Sequence, residues 1–125
     1  MRDFRQLQVW EKAHDLTLAM YAVTRQFPRD ELYGLVSQMR RCSVSIGANI
    51  AEGCGKDSNV EFGRFLQIAS GSVRELEYHL LLARDLGFVQ AAKYVSLQGK
   101  INEVQRMLSS LINRVDSRNA AATSG

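Results

Sequence analysis

Apolar side chains recur in four separate segments of this chain, at alternating steps of three and four residues. Such steps keep one face of an α-helix apolar over several turns, whereas a half-buried strand would alternate at every second residue. The four rows are Val9, Ala13, Leu16, Met20, Val23 and Phe27; Leu32, Leu35, Met39, Cys42 and Ile46, continued by Asn49; Phe62, Leu66, Ala69, Val73, Leu76, Leu80 and Ala83; and Tyr94, Leu97, Ile101, Val104, Leu108, Leu111 and Val115. The pattern predicts an all-α protein with four long helices.

Short connections separate the four segments. Pro28 disfavours helical geometry in the residue before it and so predicts the end of the first helix, with Asp30 as the N-cap of the second. Ser58 and Glu61 form the S-x-x-E pattern of a capping box before the third helix, and Gly87 suits the C′ position after it. Because short connections join antiparallel neighbours, we expect an up-down-up-down four-helix bundle.

The chain length of 125 residues suits one domain that buries a core without disulfides or metals. We expect residues 1–117 to form this single bundle domain. The fourth helix is predicted to run from about Ala91 to Val115, and residues 118–125 are predicted to form a flexible C-terminal tail.

The second and third helices carry more apolar residues than one core face needs. The surplus residues are Val36, Val44 and Ile50 in the second helix and Phe65, Ile68, Leu81, Leu82 and Leu86 in the third. In a water-soluble protein, a second apolar surface usually marks a subunit contact, which favours an oligomer. The alternative is a monomer with a wide core face.

Small residues cluster on the same two helices. They are Ser43, Ser45, Gly47, Ala48 and Ala51 in the second, and Ala69, Ser70, Gly71 and Ser72 in the third. Antiparallel pairing about the intervening turn places Ser43 opposite the third helix's cluster, so the two backbones are predicted to approach closely. Glycine is unfavourable within a helix, and Gly47 and Gly71 are therefore expected to have a packing reason. A ligand pocket is the alternative.

Charge and cysteine content bear on partners and compartment. The net charge is +3 and the pI about 9.1, a mild basic bias that permits a nucleic-acid partner without requiring one. Cys42 and Cys54 are too far apart along one helix to form a disulfide within the chain. With no signal peptide and no apolar run long enough for a membrane span, we expect a cytoplasmic protein.

Candidate binding residues come from the basic side chains near the second and third helices. They are Arg40, Arg41, Lys56, Arg64 and Arg74. An ordinary solvated helix exterior is the alternative interpretation, because it has the same charge pattern.

Catalytic and metal-binding patterns are not found in the sequence. His14 and His79 stand on different helices, outside any metal-ligand spacing, and the single Glu75–His79 pair is expected to be a surface contact. We therefore expect no catalytic residues, no metal and no cofactor. Asn49 falls on an apolar row, and we expect it to form a structural polar network with Glu52 and an arginine, either Arg41 or Arg64.

The stretch from Gln38 to Gly53, which contains the block Asn49-Ile50-Ala51-Glu52-Gly53, resembles a known family. So do Glu61-Phe62, Phe65-Leu66, Ala69-Ser70-Gly71-Ser72 and Glu75-Leu76. The family comprises four-helix-bundle proteins encoded by intervening sequences in bacterial 23S ribosomal RNA genes, and the resemblance spans roughly residues 4–115. It implies a ring-like homopentamer without catalytic residues. Related accessory proteins of diversity-generating retroelements bind nucleic acid and a reverse transcriptase.

The function expected from sequence and resemblance together is non-enzymatic. An oligomeric bundle is predicted to bind RNA or DNA weakly through backbone charge. The alternative is a protein-interaction scaffold that docks a partner, such as a reverse transcriptase, on a face of the ring.

Overall fold

Each of the four apolar rows lies mainly in one α-helix of the computed structural model, which describes residues 2–124 and the side chains of residues 2–121. The helices are α1 (Gln8–Thr24), α2 (Ser37–Cys54), α3 (Asn59–Asp85) and α4 (Ala91–Ser124). A short 3₁₀ turn, Phe4–Gln6, precedes α1. No strand occurs among residues 2–124, and the all-α prediction is confirmed.

The helices form an antiparallel four-helix bundle. Each helix packs on two others in cyclic order: α1 on α2, α2 on α3, α3 on α4, and α4 back on α1. Short connections reverse the chain direction between successive helices. The predicted up-down-up-down bundle is therefore confirmed.

One apolar core runs through the bundle and contains residues from all four rows. The buried members are Val9, Ala13, Leu16, Met20 and Phe27; Leu35, Met39, Cys42 and Ile46; the complete third row; and Leu97, Ile101, Val104, Leu108 and Val115. Leu32 is the clear exception, because its side chain is 48% exposed. The three-four spacing thus located the core, except at the start of the second segment.

The connection between α1 and α2 differs from the prediction. Helix α1 ends at Thr24, where Phe27 donates to the Thr24 carbonyl in a tightened last turn. Asp30 lies within a short 3₁₀ turn, Arg29–Glu31, and the predicted N-cap at Asp30 is wrong. The longer side chain of Glu31 instead accepts a hydrogen bond from the Leu35 amide at 3.1 Å.

A distorted segment, Leu32–Val36, links this connection to α2. It has π-helical hydrogen bonding, and Gly34 departs from helical geometry with φ −110° and ψ −111°. This irregular turn rotates Leu32 away from the core, which explains why the first residue of the second row is exposed.

The caps of α3 are close to the predicted ones. Ser58 Oγ accepts from the Glu61 amide at 3.1 Å, but the Glu61 carboxylate pairs with Arg64 rather than completing the capping box. At the other end Gly87 has φ +82°, and the Phe88 amide donates to the Ala83 carbonyl at 2.9 Å. This is the Schellman geometry that a C′ glycine permits.

Helix α4 continues beyond the predicted end. It reaches Ser124 rather than stopping at Val115. The segment after Val115 contains three consecutive alanines, the best helix formers, and no proline or glycine before Gly125. The predicted helix end is therefore wrong. The flexibility of residues 118–125 stays a prediction, and Gly125 lies outside the described residues.

Six of the eight surplus apolar residues divide into two groups, and Leu81 and Leu82 are half-buried. Val36, Ile50 and Phe65 are buried within the chain, as a wide core face would require. Val44, Ile68 and Leu86 are exposed, by 44%, 42% and 51% respectively. Some of the surplus apolar residues therefore belong to the core of this chain, and others are exposed on its surface.

The two helical glycines singled out from the sequence have different surroundings. A Cβ atom on Gly47 would lie 3.4 Å from Nε1 of Trp10, so this glycine makes room for an α1 indole rather than for α3. A Cβ on Gly71 would meet nothing within 4 Å, and the expected packing reason at Gly71 is not found in this chain. Between α2 and α3 the small residues in contact are Ser45 and Ser72, whose Oγ atoms are 2.9 Å apart.

Candidate nucleic-acid interface

Arg40 and Arg41 are neighbours in sequence with different surroundings. The Arg40 guanidinium packs against α1, where Nε donates to Thr24 Oγ1 at 3.0 Å and the group lies 4.7 Å from the Tyr21 ring centroid. Arg41 is exposed. Arg40 therefore joins two helices, and only Arg41 presents its charge fully to solvent.

Lys56 and Arg64 flank one aromatic ring at the end of the bundle where α2 and α3 meet. Lys56 Nζ lies 5.3 Å and the Arg64 guanidinium 4.7 Å from the Phe65 ring centroid. Arg64 also forms an ion pair with Glu61 at 3.1 Å. The Arg64 guanidinium lowers the pKa of the Glu61 carboxyl by hydrogen bonding to it. The charge of Arg64 is thus partly neutralised locally.

Arg74 lies on a third part of the surface. It pairs with Glu77 at 3.1 Å and lines a groove between α3 and α4, opposite Arg106. The five basic residues predicted from the sequence are therefore spread over three places. Whether they bind nucleic acid stays a prediction.

Asn49 takes part in a polar network, but with different partners from those predicted. Its amide nitrogen donates to the Ser45 carbonyl at 2.8 Å and to Ser45 Oγ at 3.0 Å, and Ser45 Oγ in turn contacts Ser72 Oγ. The Glu52 side chain is exposed. The polar contact between α2 and α3 thus consists of Asn49, Ser45 and Ser72.

The two cysteines are free, as their spacing predicts, and both are buried. The Cys42 thiol donates to the Ser72 carbonyl at 2.9 Å. Burial, together with the nearby Glu75 carboxylate, raises the pKa of Cys42 to about 12. Burial also raises the pKa of Cys54. Since the thiolate is the nucleophile, neither thiol is activated.

The positive charge of the chain is concentrated on α4. This helix carries five basic and two acidic residues, a net charge of +3, which equals the net charge of the whole protein. The basic residues are Lys93, Lys100, Arg106, Arg114 and Arg118, and the acidic ones are Glu103 and Asp116. The remainder of the chain is balanced, with eleven residues of each sign.

Three exposed arginines on α4, Arg106, Arg114 and Arg118, form what we call the arginine row. Steps of eight and four residues keep them on one side of the helix over about 18 Å. None of the three forms an ion pair within the described part of the chain. The nearby Glu103 carboxylate pairs with Lys12 of α1 at 3.4 Å.

A groove beside the arginine row lies between α4 and the start of α1; we call it the N-terminal groove. Its volume is about 400 Å³, and its lining comprises Gln6, Leu7, Gln8, Val9, Arg106, Met107, Ser110, Leu111 and Arg114. Helix α1 begins here without a side-chain cap, so the positive end of its dipole adds to the field of the arginines. On its other side, Arg114 lines a shallower groove with Asn113, Ser117 and Arg118.

The sequence contained a signal for this surface. The charged residues of α4 are mainly basic, whereas basic and acidic residues are equal in number over the rest of the chain. The net charge of the whole chain is therefore only mildly positive and hides this difference. Arg118 falls in the predicted tail, and it joins the arginine row only because α4 extends past Val115.

The described residues show no other chemical centre. They include no group of three or more His, Cys, Asp or Glu residues arranged to hold a metal ion. Glu75 and His79 contact each other at 3.2 Å as predicted, but the His79 side chain is only 15% exposed, so the pair lies partly below the surface. No helix in the described part of the chain is both long and apolar enough to cross a membrane.

Comparison with known proteins places the chain in a family. Among curated proteins none matches significantly. A crystal structure from Bacteroides thetaiotaomicron, described as a protein with unknown function from the S23 ribosomal protein family, is 25% identical in sequence with a TM-score of 0.78, and the match covers 84% of this chain and 95% of that one. Residues 5–110 match the family described as "23S rRNA-intervening sequence protein". The chain therefore belongs to the family of 23S rRNA-intervening sequence proteins.

Proposed function

We propose that this protein is a non-enzymatic, oligomeric RNA-binding bundle that contacts phosphates through the arginine row. The observation that carries the proposal is the placement of the entire net charge on α4, with three exposed arginines outside any described ion pair. The family description names 23S rRNA, which puts RNA first among the nucleic acids to test. The free thiols of Cys42 and Cys54 suit the reducing cytoplasm that we propose as its compartment.

The physical basis is the release of counterions from the RNA backbone. Each arginine that replaces condensed cations adds to the affinity and makes it depend on salt. Arginine is well suited to this role because its planar guanidinium donates two parallel hydrogen bonds to one phosphate. With only three such groups in one chain, we expect weak binding that strengthens when several copies assemble.

Binding is tested by titrating a fluorescent RNA with the protein between ~50 and ~200 mM salt. The variant Arg106→Gln, Arg114→Gln, Arg118→Gln removes the row. We expect a large loss of affinity at low salt and a salt slope that falls by about two, because each phosphate contact on a single strand contributes about 0.7.

A charge-matched control distinguishes the row from the basic residues predicted near α2 and α3. The variant Arg41→Gln, Lys56→Gln, Arg64→Gln removes the same charge from the first turns of α2, from the α2–α3 turn and from the start of α3. We expect it to bind RNA nearly as the wild type does. Equal losses in the two variants would show that only net charge matters, and no binding by the wild type at low salt would end the proposal.

We also propose that the protein self-associates, with the pentamer implied by the family resemblance as the expected state. In support, an apolar groove of about 340 Å³ lies open between α1 and α2, lined mainly by Phe4, Trp10, Val44, Ala48 and Ala51. Val44→Asp would place a charge there, and Val95→Asp, at an exposed position on α4, is the control. We expect light scattering to show a smaller particle for Val44→Asp alone. A wild-type monomer at working concentration would contradict self-association.

The scaffold role, in which the protein docks a partner such as a reverse transcriptase, is favoured by the same apolar groove. A protein occupant would be held mainly by apolar contacts, so its capture should resist both added salt and nuclease treatment. Capture that is lost in Val44→Asp, by a protein whose wild type binds no RNA at low salt, would favour the scaffold over the RNA-binding function.

A further inference from the structure

We infer that the N-terminal groove binds one unpaired nucleotide, so that the protein prefers single-stranded RNA to duplex RNA. The inference rests on the proposed function and extends it from phosphate contact to the type of strand. It is carried by the composition of the groove, which combines two arginines with an apolar wall.

The two arginines stand at the edge of the groove. Arg106 and Arg114 are eight residues apart on α4, about 12 Å along the helix axis. Both side chains are exposed, and both line the groove. This spacing allows two phosphates of one strand to be held with the intervening nucleotide facing the groove.

The wall between them is aliphatic. Leu7, Met107 and Leu111 line the groove and are only half-buried, although they pack against the core. A nucleotide base has an apolar face that gains by covering such surface, and the polarisable sulfur of methionine packs well on aromatic rings. Charge alone would not require this wall, since phosphate contacts need no apolar surface.

Polar groups complete the site. Gln6, Gln8 and Ser110 add donors and acceptors to the groove lining, suited to hydrogen bonds with a base edge or a ribose hydroxyl. The volume of about 400 Å³ lies at the lower end of the range for small-ligand pockets, which fits one nucleotide and excludes a helix.

Duplex RNA cannot use the apolar wall. In an A-form helix the base faces are stacked on one another, and the deep major groove is closed to side chains. An unpaired nucleotide presents both a base face and a phosphate. The groove should therefore contribute to the binding of single strands only, whereas the arginine row contributes to both forms.

The test compares an oligouridylate with a blunt-ended RNA duplex of equal phosphate count, by anisotropy at low salt. We expect the wild type to bind the single strand about tenfold more tightly, the order expected when one base covers half-buried aliphatic side chains. Ser110→Leu fills the groove from an exposed position and should remove this preference. Ser109→Leu makes the same change at an exposed neighbour that lines the α3–α4 groove instead, and should keep it.

A second variant guards against an unexpected effect of added bulk. Met107→Gln keeps the size of the side chain and makes the wall polar. It should lower the affinity for the single-stranded RNA and leave the affinity for the duplex unchanged. Equal wild-type affinity for the two RNAs, or identical behaviour of the two serine variants, would overturn the nucleotide site and leave phosphate binding intact. Failure of both RNAs to bind would overturn the proposed function as well, leaving the groove to a protein segment.

Discussion

Gly53 of α2 and Phe65 of α3 are so close that a Cβ atom added to Gly53 would lie 2.9 Å from the Cβ of Phe65. The same atom would lie 3.1 Å from Cδ1 of Phe62. Because no hydrogen-bearing carbons approach this closely without repulsion, Gly53→Ala must push the two helices apart. We expect the free energy of unfolding to fall by about 1–3 kcal/mol, measured by urea denaturation.

Gly71→Ala is the matched control for this prediction. Gly71 lies within α3, and its added Cβ would meet nothing within 4 Å. Alanine is a better helix former, so this change should stabilise the monomer by about 0.5–1 kcal/mol. A similar loss of stability in both variants would show that helix-helix distance is not what excludes a side chain at Gly53.

Asn49 should contribute to stability, and Glu52 should not. The Asn49 amide makes two hydrogen bonds to Ser45 in the polar network between α2 and α3, whereas the Glu52 side chain is exposed. We expect Asn49→Ala to lower the free energy of unfolding by about 1 kcal/mol. Glu52→Gln should change it by less than about 0.5 kcal/mol. A larger effect at Glu52 than at Asn49 would favour the network predicted from the sequence.

The buried Cys42 thiol should make stability fall at high pH. Its pKa is raised from 9.0 to about 12 in the folded chain by burial and by Glu75. Above pH 9 the unfolded state loses this proton while the folded state keeps it. The stability conferred by the neutral buried thiol is therefore complete below pH 9 and is lost as the pH rises towards 12.

The measurement compares wild type with Cys42→Ala in denaturant titrations between these two pH values. For one such group the slope is on the order of 1.4 kcal/mol per pH unit. The stability difference between the two proteins should narrow as the pH rises, and a difference that stays constant would contradict the raised pKa. Thiol reagents at neutral pH should modify both Cys42 and Cys54 only after unfolding, since both are buried.

Most of the fold could be predicted from the sequence because burial depends on spacing. A residue such as Leu66 or Leu76 lies on the core side simply because three-four steps return it to the same helix face. The connection around Gly34 could not be predicted, since its irregular backbone depends on how the Glu31 carboxylate caps Leu35. That interaction leaves no periodic pattern in the sequence.

The candidate site was harder to predict because it depends on pairing between helices. Arg74 has Glu77 three residues after it and Arg106 has Glu103 three residues before it, yet Glu77 pairs with Arg74 whereas Glu103 pairs with Lys12 of α1. Likewise, the sequence predicts only that Gly47 has a packing reason, and the fold shows that Trp10 of α1 lies over it. Charge pairing and packing partners are properties of the assembled bundle.

The last turns of α4 should matter more for RNA binding than for the stability of the bundle. The fourth apolar row ends at Val115, which is buried, whereas Arg118 is the exposed end of the arginine row. Removing residues 118–125 also removes Asn119, which lies beside Gly63 of α3, and should lower the free energy of unfolding by about 1 kcal/mol. It should weaken RNA binding and lower the salt slope by about 0.7, the contribution of one phosphate contact on a single strand. Full-length Arg118→Gln should reproduce that loss of affinity, which separates the effect of the charge from that of the shortened helix. A different outcome is that the truncated protein binds less RNA while Arg118→Gln binds as the wild type does. The helix end would then contribute to RNA binding without the charge of Arg118, and the arginine row would comprise Arg106 and Arg114 alone.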